Sequence, residues 1–317
     1  MATIETTERA AQRETTACGV WAPAMTPLDA DLMPDLPRAV AHVKWLLENG
    51  CHGVGIFGTT GEANSFSVEE RMAVLEAVIA AGVAPERLMV GTGLCALTDS
   101  VRLSAHAAGL GCKSLLMLPP FYYKGVSDEG LAASFSEVIQ RVGDSELEIF
   151  LYHFPKLSGV QITHGLVELL LKAYPKNVVG LKDSSGDAAG CAAYIETFPE
   201  LAVFPGTEAI QLDMLEKGGV GTISATANIN PGQIRKVYDA FAAGDDAAAG
   251  AQQETVTAVR LEAQKTPTIA TLKPLLARHL NDDAWRRLRP PLMALSADQE
   301  ADMIARLEAA GLVIGAG

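Results

Sequence analysis

Between Val20 and Thr226 the chain alternates short, almost wholly apolar runs with longer stretches in which apolar residues recur every three or four positions. The runs are Val20–Thr26, Gly53–Gly58, Arg87–Gly93, Ser114–Pro120, Glu148–Pro155, Val178–Ser184, Leu201–Gly206 and Gly219–Ala225. They are too uniformly apolar for half-exposed strands and fit a parallel sheet covered on both faces. The stretches Asp35–Asn49, Ser67–Ala81, Asp99–Leu110, Asp128–Val142 and Thr163–Ala173 predict amphipathic helices, and Ser67 with Glu70 predicts a capping box.

Eight β–α units of about thirty residues each predict an α/β fold of the (β/α)8 TIM-barrel type. An open dinucleotide-binding sheet is disfavoured because no G-x-G-x-x-G turn follows the first run. After Asn228 the strand signals stop, and residues 231–317 read as helices rich in Ala, Glu and Arg. No Gly/Ser linker precedes them, which predicts a C-terminal helical extension packed on a barrel spanning 18–230. Residues 1–17 are polar and predict a loose N-terminal arm, without the apolar stretch of a signal peptide.

The composition, with 49% hydrophobic and 20% charged residues, is that of one large globular core. Lys and Arg number 25 against 38 Asp and Glu, a formal net charge of −13, which argues against nucleic acid or anionic lipid as partner. An anionic metabolite would have to meet positive potential gathered locally, from a lysine or from backbone N–H groups. Cys18, Cys51, Cys95, Cys112 and Cys191 are scattered, with no C-x-x-C spacing, so reduced thiols in a cytoplasmic protein are expected and a metal site is not. No run reaches the roughly 18 apolar residues of a membrane span.

A barrel builds its active site at the C-terminal ends of its strands, so polar residues closing the apolar runs are the candidates. Lys182 ends the run Val178–Ser184. An amine removed from water resists protonation and, once neutral, attacks carbonyl carbon. On pattern alone Lys182 reads equally well as a structural lysine paired with Asp183 or Glu208. Tyr152 closes the preceding run. A tyrosine in a strand is ordinarily packing, but this one stands one unit before Lys182 and could carry the protons of imine formation. Gly58-Thr-Thr-Gly-Glu62, a turn after the second run, offers N–H groups and two hydroxyls to a carboxylate.

Three segments in this order and spacing resemble the dihydrodipicolinate synthase / N-acetylneuraminate lyase family: Gly58-Thr-Thr-Gly-Glu62, Tyr152 with Pro155, and Gly180-Leu-Lys-Asp-Ser-Ser-Gly-Asp187. Pro119-Pro-Phe-Tyr-Tyr123 and Gly221-Thr-Ile-Ser-Ala-Thr-Ala-Asn228 extend the likeness from about Val20 to beyond Leu280. The resemblance implies that Lys182 forms the Schiff base, Tyr152 relays protons, and Thr59 and Thr60 hold the substrate carboxylate and orient the tyrosine. It implies that Tyr123 enters a neighbouring subunit's site, that Ile223 lines the pocket near the imine, and that the chain forms a homotetramer, a dimer of dimers. The synthase branch carries an arginine two residues after the proline, where this chain has Leu157, so synthesis of dihydrodipicolinate is disfavoured. His153 stands where many relatives have asparagine; a single histidine is most often structural, and the alternative reading is that it shapes the rim of the pocket.

Together these readings predict a Schiff-base aldolase or lyase that needs no cofactor. It would join or cleave pyruvate and an aldehyde, with a 3-deoxy-2-oxo acid or 4-hydroxy-2-oxo acid as substrate. The same imine serves a dehydratase of 3-deoxy-2-oxo sugar acids. A sensor barrel binding a 2-oxo acid is the non-enzymatic alternative, disfavoured because a binder requires neither Lys182 nor Tyr152.

Overall fold

The computed structural model describes Thr15 and residues 17–315. The expected N-terminal arm, 1–17, lies outside the described residues apart from Thr15 and Ala17. All eight apolar runs form strands: β1 Gly19–Pro23, β2 Gly53–Ile56, β3 Leu88–Gly91, β4 Ser114–Met117, β5 Glu148–His153, β6 Val178–Asp183, β7 Ala202–Pro205 and β8 Gly221–Ile223. Several strands stop short of the predicted run. Pro155 has no N–H to continue a ladder, and β5 gives way to the one-turn helix Pro155–Ser158.

One eight-stranded sheet runs in the order β7-β6-β5-β4-β3-β2-β1-β8. Its ends meet, because Val220 N–H donates to Val203 O at 3.1 Å and the Thr222 hydroxyl to Pro205 O at 3.0 Å. The chain is a (β/α)8 barrel with C-terminal helices, as the alternation of elements implies.

The five stretches with helical periodicity form α1 Leu36–Glu48, α2 Val68–Ala80, α3 Leu97–Gly109, α4 Asp128–Val142 and α6 His164–Ala173, and the unpredicted α5 Pro155–Ser158, α7 Ala188–Thr197 and α8 Gln211–Glu216 join them. Asp35, Ser127, Thr163 and Asp187 each cap the helix that follows them, and Ser67 and Glu70 form the expected reciprocal capping box on α2. Beyond β8 come α9 Pro231–Ala242, α10 Asp246–Ala263, α11 Thr268–Leu280 and α12 Ala297–Ala309. Among the described residues no helix is long and apolar enough to cross a membrane.

Two compact units divide the chain. One contains Ala84–Gly206 and Asp213–Thr222, and therefore β3 to β7. Its strands pair in parallel, with Leu115↔Ile149 and Leu181↔Val203 among the partners and one register shift between Ile149 and Phe150 against β6, and their alternate side chains fill two buried faces. Gly180 is fixed by packing, since a Cβ there would lie 2.3 Å from the Phe150 ring and 2.7 Å from Ala202 O.

The other unit contains Gly19–Val83, Thr207–Leu212 and the chain from Ile223. Here Met25, just after β1, packs into one apolar cluster with Val259, Leu272, Leu276, Trp285, Met303 and Leu307 of the C-terminal helices. Buried Asn228 ties the chain together by accepting from Met25 N–H and donating to Pro23 O and Ala225 O. The His42 ring donates to the same Asn228 oxygen, at 2.8 Å, and meets the Trp285 ring edge-on. Burial pushes His42 down to about 4.

A histidine buried neutral binds its proton more weakly folded than unfolded, so its stabilising contribution is full above pH 6.5 and declines as the pH falls toward 4. Between pH 7 and 5 His42 should remove about 2 kcal/mol of stability. Urea unfolding at the two pH values should show that loss in the wild type and a smaller one in His42→Gln. Equal pH dependence in both would show that His42 is not the titrating group.

Candidate active site

Lys182 and Tyr152 are direct register partners across β5 and β6, both at the C-terminal ends of their strands. Both are buried, at 3% exposure. The lysine Nζ stands over the phenol ring, 4.5 Å from its centroid, a contact that holds an ammonium or amine without neutralising it. The aromatic face continues beyond the strand, with the Phe154 ring 5.8 Å from Tyr152.

Neither carboxylate that the sequence offered as a structural partner for Lys182 serves that purpose. Asp183 is the next residue on the strand and so points to the opposite face, where it accepts from Ser185 N–H at 2.8 Å. Glu208 is fully buried and accepts from the hydroxyls of Ser224 and Thr226. Among the described residues Lys182 takes part in no ion pair. A buried amine with a phenol beside it and no countercharge is an arrangement suited to nucleophilic attack on a carbonyl.

His153 does not share this face. It alternates with Tyr152 along β5 and is the register partner of Asp183. Its Nδ1 accepts from Ile162 N–H at 3.0 Å, which assigns the ring proton to Nε2, and its ring lies edge-on to Tyr194 at 5.6 Å. Burial pushes the His153 pKa down against the opposing charge of Asp183, and pushes the Asp183 carboxyl up. The Tyr194 hydroxyl in turn donates to Ile162 O. The rim position considered for His153 is thus replaced by a place among the helices outside the sheet, which strand alternation within Ile149-Phe-Leu-Tyr-His153 could have revealed.

The remaining candidates lie where their segments put them. Gly58, Thr59 and Thr60 form the turn after β2, with Gly58 and Thr60 buried and Thr59 half-buried. The turn is closed by Gly61 N–H to Gly58 O at 3.1 Å, Glu62 N–H to Thr59 O at 3.0 Å and the Thr26 hydroxyl to Gly61 O at 2.8 Å. Ile223, the last residue of β8, is buried. Leu157 is 65% exposed on α5, and Tyr123 is 74% exposed on the loop after β4, its ring edge-on to the equally exposed Tyr122. Lys156 does not follow strand alternation because it belongs to α5. Its Nζ lies against Gly186, where an added Cβ would meet it at 2.9 Å. Sequence reasoning missed Lys273, buried within α11 and ion-paired with Glu62 of the turn. A single cation in the apolar stretch Leu272-Lys-Pro-Leu-Leu276 was the available signal.

A model of the dihydrodipicolinate synthetase family matches residues 16–310. A protein of Chloroflexus aurantiacus described as an uncharacterized DapA-like lyase is 35% identical over 291 residues, covering 92% of this chain and 96% of its own. Dihydrodipicolinate synthase of Agrobacterium tumefaciens, a solved structure, has a TM-score of 0.85 at 32% identity and covers 93% of this chain and 100% of its own. YagE, an Escherichia coli prophage protein solved in complex with pyruvate, has a TM-score of 0.86 at 26% identity and covers 94% of this chain and 100% of its own.

If His153 only supports the barrel wall, His153→Ala leaves Ile162 N–H buried without its acceptor and should cost about 1–3 kcal/mol of stability. In a titration with pyruvate under borohydride, any covalent capture seen in the wild type should saturate at the same concentration in the folded variant. A shifted saturation curve with unchanged stability would return His153 to the pocket.

Proposed function

The chain belongs to the dihydrodipicolinate synthetase family, and from that premise we propose that it is a Schiff-base aldolase acting on a 4-hydroxy-2-oxo acid or 3-deoxy-2-oxo acid, with pyruvate as the common product. An enzyme of this family is a lyase, and the substrate is what distinguishes its members. The observation that carries the reading is the unpaired, buried Lys182 over the Tyr152 ring.

In this reading the Lys182 amine attacks C2 of the oxo acid, and the carbinolamine loses water to give an imine. The protonated imine nitrogen accepts the electron pair of the C3–C4 bond as that bond breaks. Tyr152 takes the proton from the C4 hydroxyl, the aldehyde leaves, and the resulting enamine is protonated at C3. Hydrolysis of the imine releases pyruvate and restores the lysine. Run in reverse, the same steps join pyruvate to an aldehyde. Thr59 and Thr60, on the turn that begins at Gly58, hold the substrate carboxylate, and Ile223 lines the pocket near the imine. Tyr123 reaches a neighbouring subunit's site, in a homotetramer that hides its exposed ring. The cytoplasm, where scattered thiols stay reduced, is the compartment this reading assigns.

Leu157 argues for an aldehyde partner without a carboxylate at that position. An apolar side chain cannot make the paired hydrogen bonds by which an arginine grips a carboxylate, a loss of about 1.5–3 kcal/mol, or roughly 10- to 150-fold in affinity. A panel of 4-hydroxy- and 3-deoxy-2-oxo acids, assayed for released pyruvate, should contain a substrate turned over well above condensation of pyruvate with aspartate semialdehyde. Leu157→Arg should improve that condensation. Efficient wild-type condensation with aspartate semialdehyde, or water loss without pyruvate release across the panel, would overturn the assignment.

A further inference from the structure

We propose that Lys273, on the C-terminal extension, is a positioning residue for the substrate carboxylate. Paired with Glu62 in the interior, it holds the Gly58–Glu62 turn in the shape that presents Thr59 and Thr60. The inference rests on the Schiff-base reading and on the role that reading gives to the two threonines.

The turn is not a relaxed one. Glu62 has φ of 57° and Phe57, at the other end, φ of 59°, left-handed values that residues with a Cβ rarely adopt without support. Gly61 has no room for a side chain either, since a Cβ would stand 2.7 Å from Ala24 O.

The support comes from residues distant in sequence. The Glu62 carboxylate pairs with Lys273 of α11, and both side chains are fully buried. Lys273 Nζ also donates to Arg287 O at 2.7 Å, and Arg289 N–H donates to the second Glu62 oxygen at 3.3 Å. Arg289 then reaches across the segment that follows the turn, donating to Ser65 O at 2.6 Å and to Leu32 O at 2.8 Å and pairing with Glu70 of α2. From α2 itself, buried Arg71 donates to Ala63 O with its guanidinium 5.9 Å from the centre of the Phe57 ring.

Both ends of the turn are therefore fixed by cations. Lys273 is paired with Glu62 and Arg289 with Glu70, while Arg71 holds the backbone at Ala63. A pair meant only to join helix to barrel would be replaceable by apolar residues, whereas a pair that holds a strained, functional turn is not.

The test compares capture of pyruvate with capture of hydroxyacetone, a neutral ketone, by borohydride reduction on the wild type, Lys273→Met, Lys273→Arg and the double variant Glu62→Gln/Lys273→Met. The double variant removes both buried charges and so stays measurable if Lys273→Met alone fails to fold. Half-saturating pyruvate should rise about tenfold or more in Lys273→Met and the double variant, while hydroxyacetone capture stays within about twofold, and Lys273→Arg should recover part of the loss. Parallel loss of both ketones, or unchanged pyruvate saturation in the folded double variant, would overturn the positioning role and leave the Schiff-base reading standing. Failure of the wild type to capture pyruvate would overturn both.

Discussion

A lysine side chain taken out of water at the end of a strand, with no carboxylate paired to it among the described residues, is the constraint around which one half of this barrel is built. The neighbour that Lys182 Nζ meets is the π-face of Tyr152, 4.5 Å from the ring centroid. That contact exists because Tyr152 and Lys182 are register partners, and Gly180, two residues earlier on the same face, leaves room for the Phe150 ring close against β6. Sheet geometry, a missing side chain and an aromatic wall thus converge on one amine.

The opposite faces of the same two strands have a different character. His153 and Asp183 sit among the helices, joined to Ile162, Tyr194 and Ser185 by hydrogen bonds and ring contacts. Their polar groups hold the β5 and β6 ends in place from the face opposite Tyr152 and Lys182. The second unit uses the reverse solution. There the buried Lys273 and the half-buried Arg289 are each paired with an acid, Glu62 or Glu70.

Much of this was legible in the sequence. Eight apolar runs gave eight strands because both faces of a parallel barrel are covered, and Lys182 and Tyr152 stood out as polar interruptions at their ends. Ser67 and Glu70 announced a helix start by local chemistry alone. What depended on distant contacts was not legible. Glu62 could be placed in a turn but not against Lys273, since nothing in either segment points to the other. Lys156 could not be oriented, because strand alternation ceases where Pro155 opens a helical turn. For His153 both a structural and a rim reading stood open, and strand alternation, which turns adjacent residues to opposite faces, favours the structural one.

The central claim is that Lys182 is the amine that bonds to substrate. Its most direct test is to reduce the wild-type protein with borohydride in the presence of pyruvate, digest it, and locate the adduct by mass spectrometry. Hydride delivered to the imine carbon and a proton to nitrogen would leave a stable lactyl-type group on the peptide that contains Lys182, and Lys182→Ala should carry none. An adduct on another lysine, or no adduct at saturating pyruvate, would contradict the account.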